Sequence, residues 1–203
     1  MQLIEDIVFC VVDVETNGSK ADLHQVIEIG AVKVQNSKII ERFESLVHCV
    51  EIPEIVTKIT GIDVDDTYYA PYMDSVMGEF CNFLGDGVFV GHDAKFDYKF
   101  TSAMLERCNR EPLKNIMLCT IDLAERTIPA ERYGLAFLND LLELNPDARH
   151  HRALDDAITT AYLLIETIKC LPANIKTLEH LIKFSKSAKR LKKPKPKIDK
   201  SDN

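Results

Sequence analysis

Residues 7–18 read IVFCVVDVETNG. Positions 7–14 form an apolar run rich in β-branched residues, broken only by Asp13, the pattern of a central strand buried on both faces. The run closes on two acids, Asp13 and Glu15. Side chains on a strand repeat every two residues, so these two point to the same side. Carboxylates held side by side repel each other unless a cation or a shared proton relieves them. The plainer alternative is a strand end that reaches solvent. Thr16-Asn17-Gly18 is turn chemistry.

Outward from this strand, Val26–Gln35 and 38–47 alternate well enough for two more strands, joined at Asn36-Ser37. Three consecutive strands predict an antiparallel meander. From Pro53 the period changes. Helical spacing is expected at 53–59, 72–84, 96–108, 121–126, Leu135–Leu142 and Ala153–Lys169, with short apolar strands at 88–90 and 116–119. Strands first, then strand–helix alternation, predict an α/β domain with a mixed sheet. The domain is expected to span residues 1–171. A tail follows at 172–203: an amphipathic helix near 175–185, then a Lys/Pro-rich segment expected to be disordered.

The 203 residues are 46% hydrophobic and 28% charged, enough for a real core. The formal net charge is −7. Residues 183–203 hold nine Lys/Arg against two Asp, whereas residues 1–182 hold 16 basic and 30 acidic residues. An acidic body with a basic tail argues against nucleic-acid binding by the body, unless some of that acid holds cations. No apolar stretch approaches a membrane span, and the amino-terminal stretch has no basic region of the signal-peptide kind. The six scattered cysteines form no CxxC pair, which favours free thiols and a cytoplasmic setting.

Two further groups carry chemistry. In GHDAKFD at 91–97, Asp97 falls in the first turn of a helix. In HHRALDDA at 150–157, two registers satisfy His-x4-Asp: His150 with Asp155, and His151 with Asp156. Ala153, Ala157 and Ala161 form a small-residue ridge suited to packing on the sheet. Asp156 sits beside the ridge, whereas Asp155 is turned about 100° further away, which favours the second register. Four carboxylates and one His at the ends of three elements suit hard divalent cations and phosphodiester hydrolysis, with a neutral imidazole taking a proton from water.

These segments resemble the motifs of the DEDDh, or DnaQ-like, 3′–5′ exonucleases of the ribonuclease H-like superfamily. DVETNG at 13–18 matches D-x-E-T-x-G, GHDAKFD resembles H-N-A-x-F-D, and HRALDDA at 151–157 matches H-x-A-x-x-D-A. Thr60-Gly61-Ile62 resembles the family's TGI-like segment. The resemblance implies a ribonuclease H-like fold: a five-stranded mixed sheet flanked by helices, with strands 1–3 as a meander and two strands parallel to the first. It implies that Asp13, Glu15, Asp97 and Asp156 hold two Mg²⁺ or Mn²⁺ ions, with Asp13 shared between them, and that His151 is the general base. It places Val14, Thr16, Thr60, Gly61, Ile62, His92, Phe96 and His151 near the 3′-terminal nucleotide. Position 93 is Asp where the family usually has Asn.

Within the family, the domain-plus-tail layout is most similar to the proofreading epsilon subunits of bacterial DNA polymerase III. That implies a DNA 3′ end as substrate and contact with the polymerase alpha subunit through the tail, where 175–184 would dock as a helix in a groove. The tail has no Gln, with which the familiar clamp-binding pattern begins, so a sliding-clamp contact is unsupported. The alternative within the superfamily is an RNA-trimming enzyme of the ribonuclease T or oligoribonuclease kind. A non-catalytic nucleic-acid-binding module is disfavoured, because a pure binder has no need of four mutually repelling acids.

Overall fold

The structure is a computed structural model and describes residues 2–149, 151–192 and 194. His150, and the disorder expected at 193 and 195–203, lie outside the described residues. The meander is β1 (Phe9–Thr16), β2 (Val26–Gln35) and β3 (Lys38–Leu46). Three helices follow: α1 (Glu54–Thr60), α2 (Val64–Tyr68) and α3 (Met73–Leu84). Strand β4 (Val88–Gly91) leads into α4 (Ala94–Arg107), and β5 (Met117–Cys119) into α5 (Thr120–Thr127). The chain continues through α6 (Leu135–Leu142), α7 (Ala153–Lys169) and α8 (Leu178–Ser187).

One five-stranded sheet runs in the order β3-β2-β1-β4-β5. The pairs β1/β2 and β2/β3 are antiparallel, and β1/β4 and β4/β5 are parallel. This is the expected ribonuclease H-like sheet. Alternation along β1 divides its side chains between two cores. Cys10, Val12 and Val14 pack with Phe80 of α3 and with Phe100 and Met104 of α4. Phe9 and Val11 pack with Ile158, Ala161, Leu164 and Ile165 of α7. Asp13 and Glu15 continue the second set, so they face α7.

Two differences from the sequence reading have clear causes. Helix α2 was not expected, because five residues cannot show an apolar period. Its start is set instead by a capping box: the Asp63 carboxylate accepts from the Asp65 and Asp66 N–H groups, and Asp66 accepts from Asp63 N–H. The start of the expected tail is the second. Helix α8 forms, but its apolar side is not left open, since Leu181 is buried in the core that α7 shares. Thr177 forms a β-bridge with Leu3, and Leu178 N–H donates to the Gln2 carbonyl. Beyond the helix, residues 188–191 are strapped to α5. Arg126 donates to the Ala188 carbonyl, Leu191 N–H donates to the Glu125 carbonyl, and Arg190 pairs with Glu125 at 2.7 Å. All six cysteines are free thiols. Among the described residues no helix is long and apolar enough to cross a membrane.

Candidate active site

Three elements converge on the carboxyl end of β1. The first is β1 itself, which carries Asp13 and Glu15, both half-buried. The second is α4. Asp97, in its first turn, is buried and accepts a hydrogen bond from Val14 N–H at 3.2 Å. The third is α7, whose first turn carries buried Asp156. Asp156 accepts from the His151 N–H at 3.0 Å, so the loop and helix close on each other. His151 is exposed at φ +61°, the left-handed turn that brings the chain into the helix. One donor atom each from Glu15, His151 and Asp156 lie within 4.8 Å of one another.

Burial and mutual repulsion govern the electrostatics of the cluster. Burial pushes the Asp13 carboxyl well above the usual range, and the charges of Asp97, Asp156, Glu15 and Glu28 push it further. Glu15 is pushed up to about 7, by burial first and then by Asp156 and Glu28, with Arg152 opposing. Asp97 is pushed up to about 8 by burial, against the hydrogen bond from Val14. Carboxylates in this state bind protons or cations. Four hard oxygen donors with one imidazole at the edge fit Mg²⁺ or Mn²⁺.

The remaining expected residues divide. Phe96 is 38% exposed, with its ring 4.7 Å from Phe100. The Thr16 hydroxyl donates to the Gly18 carbonyl, and the Val14 side chain is core. Thr60 donates to the Val56 carbonyl and accepts from Ile62 N–H, and Ile62 packs with Ile27 and Cys49. Gly61, at φ +72°, ends α1 in the left-handed conformation that glycine adopts without strain. His92 has both ring nitrogens engaged, Nδ1 with the Thr120 hydroxyl at 2.9 Å and Nε2 with the Tyr133 carbonyl at 2.8 Å. A carbonyl only accepts, so Nε2 carries the proton. Burial lowers the pKa of this ring, which favours the neutral form. Asp93 adopts φ +70° just before α4. Asn and Asp are the side chains that most readily take that conformation, so the departure from the usual Asn preserves the turn.

Sequence reasoning missed Glu28 and Arg152. Glu28 is fully buried, sits directly across from Glu15, and forms a forked ion pair with Arg152. The signal was present in VIEIGAV: an acid in the middle of an apolar strand demands a partner.

The sequence pattern of the family described as Exonuclease (RNase_T) matches residues 10–164. The chain belongs to that exonuclease family. This exonuclease chain is 36% identical over 172 residues to a DNA polymerase III PolC-type of Staphylococcus aureus (strain bovine RF122 / ET3-1). The match covers 82% of this chain and 12% of that one, so the chain spans only a small part of the curated relatives it matches. Exonuclease X, solved in complex with 5′ overhanging duplex DNA, superimposes with a TM-score of 0.67 at 25% identity, covering 85% of this chain and 99% of that one. E. coli Exonuclease I with a dA16 oligonucleotide gives a TM-score of 0.74 at 16% identity, covering 82% and 42%, which shows the shared fold. The resemblance to the DEDDh, or DnaQ-like, exonucleases therefore holds at the level of the family. Divalent-metal dependence is general in this family, and the acidic cluster with His151 is the candidate site for it.

Proposed function

We propose that this exonuclease removes 5′-mononucleotides from single-stranded or frayed DNA 3′ ends, in the service of replication proofreading. The observation that carries the reading is the convergence of Glu15, Asp156 and His151 within 4.8 Å, beside Asp13 and Asp97. Asp13, Glu15, Asp97 and Asp156 would hold two Mg²⁺ or Mn²⁺ ions. When bound, such ions supply Lewis-acid stabilisation of an in-line phosphoryl displacement and activate water. The chain's own residues do the rest. The His151 ring, at the exposed edge, accepts the proton of the attacking water at an imidazole nitrogen. Phe96 offers an exposed aromatic edge to the terminal base. His92 and Gly61 shape the walls through the Tyr133 and α1 contacts. Mismatched terminal pairs melt at low cost, which biases the enzyme toward errors.

The likeness to a PolC-type polymerase supports a replicative setting in the cytoplasm. The exonuclease acts in the manner of an epsilon subunit and meets the polymerase alpha subunit through α8 and the segment that follows it. The apolar side of α8 is already committed within the domain, so the contact falls to the outer side of the helix and the basic residues beyond it.

The deciding experiment is digestion of matched DNA, 3′-mismatched DNA and RNA oligonucleotides side by side, with and without EDTA. Fastest loss of mismatched DNA ends, abolished by EDTA, is expected. Faster cleavage of RNA than of mismatched DNA would overturn the proofreading assignment in favour of RNA trimming. Co-purification with an alpha subunit, lost on deleting 188–203, checks the partner.

A further inference from the structure

Helix α7 delivers Asp156 and, from its lead-in, His151, yet it arrives after the long connection from α6. Its first turn therefore needs an anchor on the sheet, and β2 supplies one. The Glu28 carboxylate accepts from Arg152 Nε at 3.1 and 3.3 Å, from Arg152 Nη2 at 2.6 Å, and from Ala153 N–H at 2.9 Å. Two residues along the same face, a Cβ at Gly30 would run into the backbone of Leu154 and Ala153. The helix start thus lies directly on the strand, clamped by Glu28 and admitted by Gly30.

The clamped residues sit between the two functional groups. His151 immediately precedes Arg152, and Asp156 N–H donates to the Arg152 carbonyl at 3.0 Å. Fixing Arg152 and Ala153 fixes both His151 and Asp156 relative to Glu15, whose strand neighbour is Glu28 itself. An apolar contact would hold the helix against the sheet equally well, and burying a charged pair is seldom the most stabilising choice. A forked ion pair adds direction: it specifies rotation and register as well as proximity.

We propose that Glu28, through Arg152, is a positioning residue of this exonuclease that holds Asp156 and His151 at the metal-binding face without touching substrate. The inference rests on the exonuclease reading above.

The test uses the full chain carrying Glu28→Gln, Arg152→Lys, or Glu28→Gln with Arg152→Gln. Mn²⁺ binding without substrate is followed by electron paramagnetic resonance. Values of kcat and KM are measured on a 3′-mismatched oligonucleotide, well below each variant's melting temperature. Loss of a supporting partner at a metal site costs about 10–100-fold in metal affinity or activity. Glu28→Gln is expected to weaken Mn²⁺ binding and kcat about tenfold or more, with KM changed less than about threefold. Arg152→Lys keeps the charge without the fork and is expected to fall between Glu28→Gln and wild type. The double variant is expected to be no worse than Glu28→Gln, because one clamp is lost once. A folded Glu28→Gln with wild-type Mn²⁺ affinity and kcat, lowered only in melting temperature, would overturn the assignment. If that variant does not fold, Arg152→Lys decides on the same readouts, and failure of both to fold makes the pair a folding element and overturns it too. Failure of the exonuclease reading has its own signature: wild type binds Mn²⁺ but degrades no 3′ end, and the Mn²⁺ comparison among variants still stands.

Discussion

Helices α4 and α7 each bring one aspartate to the same end of β1, and they are held there in different ways. Helix α4 follows β4 after a two-residue turn, and Asp97 is fastened by the backbone of β1 itself through Val14 N–H. Helix α7 comes from a distant loop and is fastened by side chains, Glu28 and Arg152, with Gly30 giving it room. A helix tethered by a short connection inherits its position from the strand before it. A helix at the end of a long connection needs its own anchor, and here that anchor stands next to the candidate catalytic groups.

The largest effect should come from the residue both helices aim at. Asp13→Ala removes a donor from any metal set, and the several kcal/mol that such ions supply implies a loss of more than about a thousandfold in kcat. Retained activity in a mononucleotide-release assay would break the metal assignment. On the α7 side alone, His151→Gln should lower kcat about 10²–10⁴-fold while leaving Mn²⁺ binding nearly intact. Unchanged turnover would remove His151 from proton transfer. Gly30→Ala tests the seat of α7 without touching a charge. Its Cβ meets backbone rather than a flexible side chain, so a stability loss of about 1–3 kcal/mol is expected, measured by denaturant unfolding.

A fourth prediction concerns pH. In the folded protein burial pushes Glu15 up to about 7 and Asp97 up to about 8, above their ordinary values of 4.5 and 3.8. The folded state therefore holds protons that the unfolded chain has already released, and metal-free stability falls as pH rises from about 5 to about 8. Melting in EDTA should be lower at pH 8.5 than at pH 6, and Mn²⁺ should close the gap. A flat profile in EDTA would contradict the electrostatic picture of both helix ends. The smallest effect is expected on the α4 side. Asp93→Asn keeps the left-handed turn and removes one exposed charge, worth less than about 1 kcal/mol, so kcat should change less than about fivefold.

Much of this was readable in advance because it depends on local periodicity. The apolar run into Asp13 and Glu15 marks β1, and the i+4 alanine ridge of 153–161 marks the face of α7 and selects Asp156 over Asp155. The meander and the two strands parallel to β1 followed from the resemblance that the three motifs carry. Helix α2 escaped because its cap, rather than a period, makes it. The amphipathic pattern near 175–185 was visible, but a pattern shows only that a face must be covered, and Leu181 found its cover at home.

Strand alternation and helical period act over a few residues, so the side of each element that a group takes is written locally in the chain. The partners of those groups come from long-range folding. That Glu28 faces Glu15 and takes Arg152 across 124 positions, or that both nitrogens of His92 are spent on Thr120 and Tyr133, depends on which distant segments the sheet brings together. A buried charge announces that it needs a partner, and the folded chain alone chooses which.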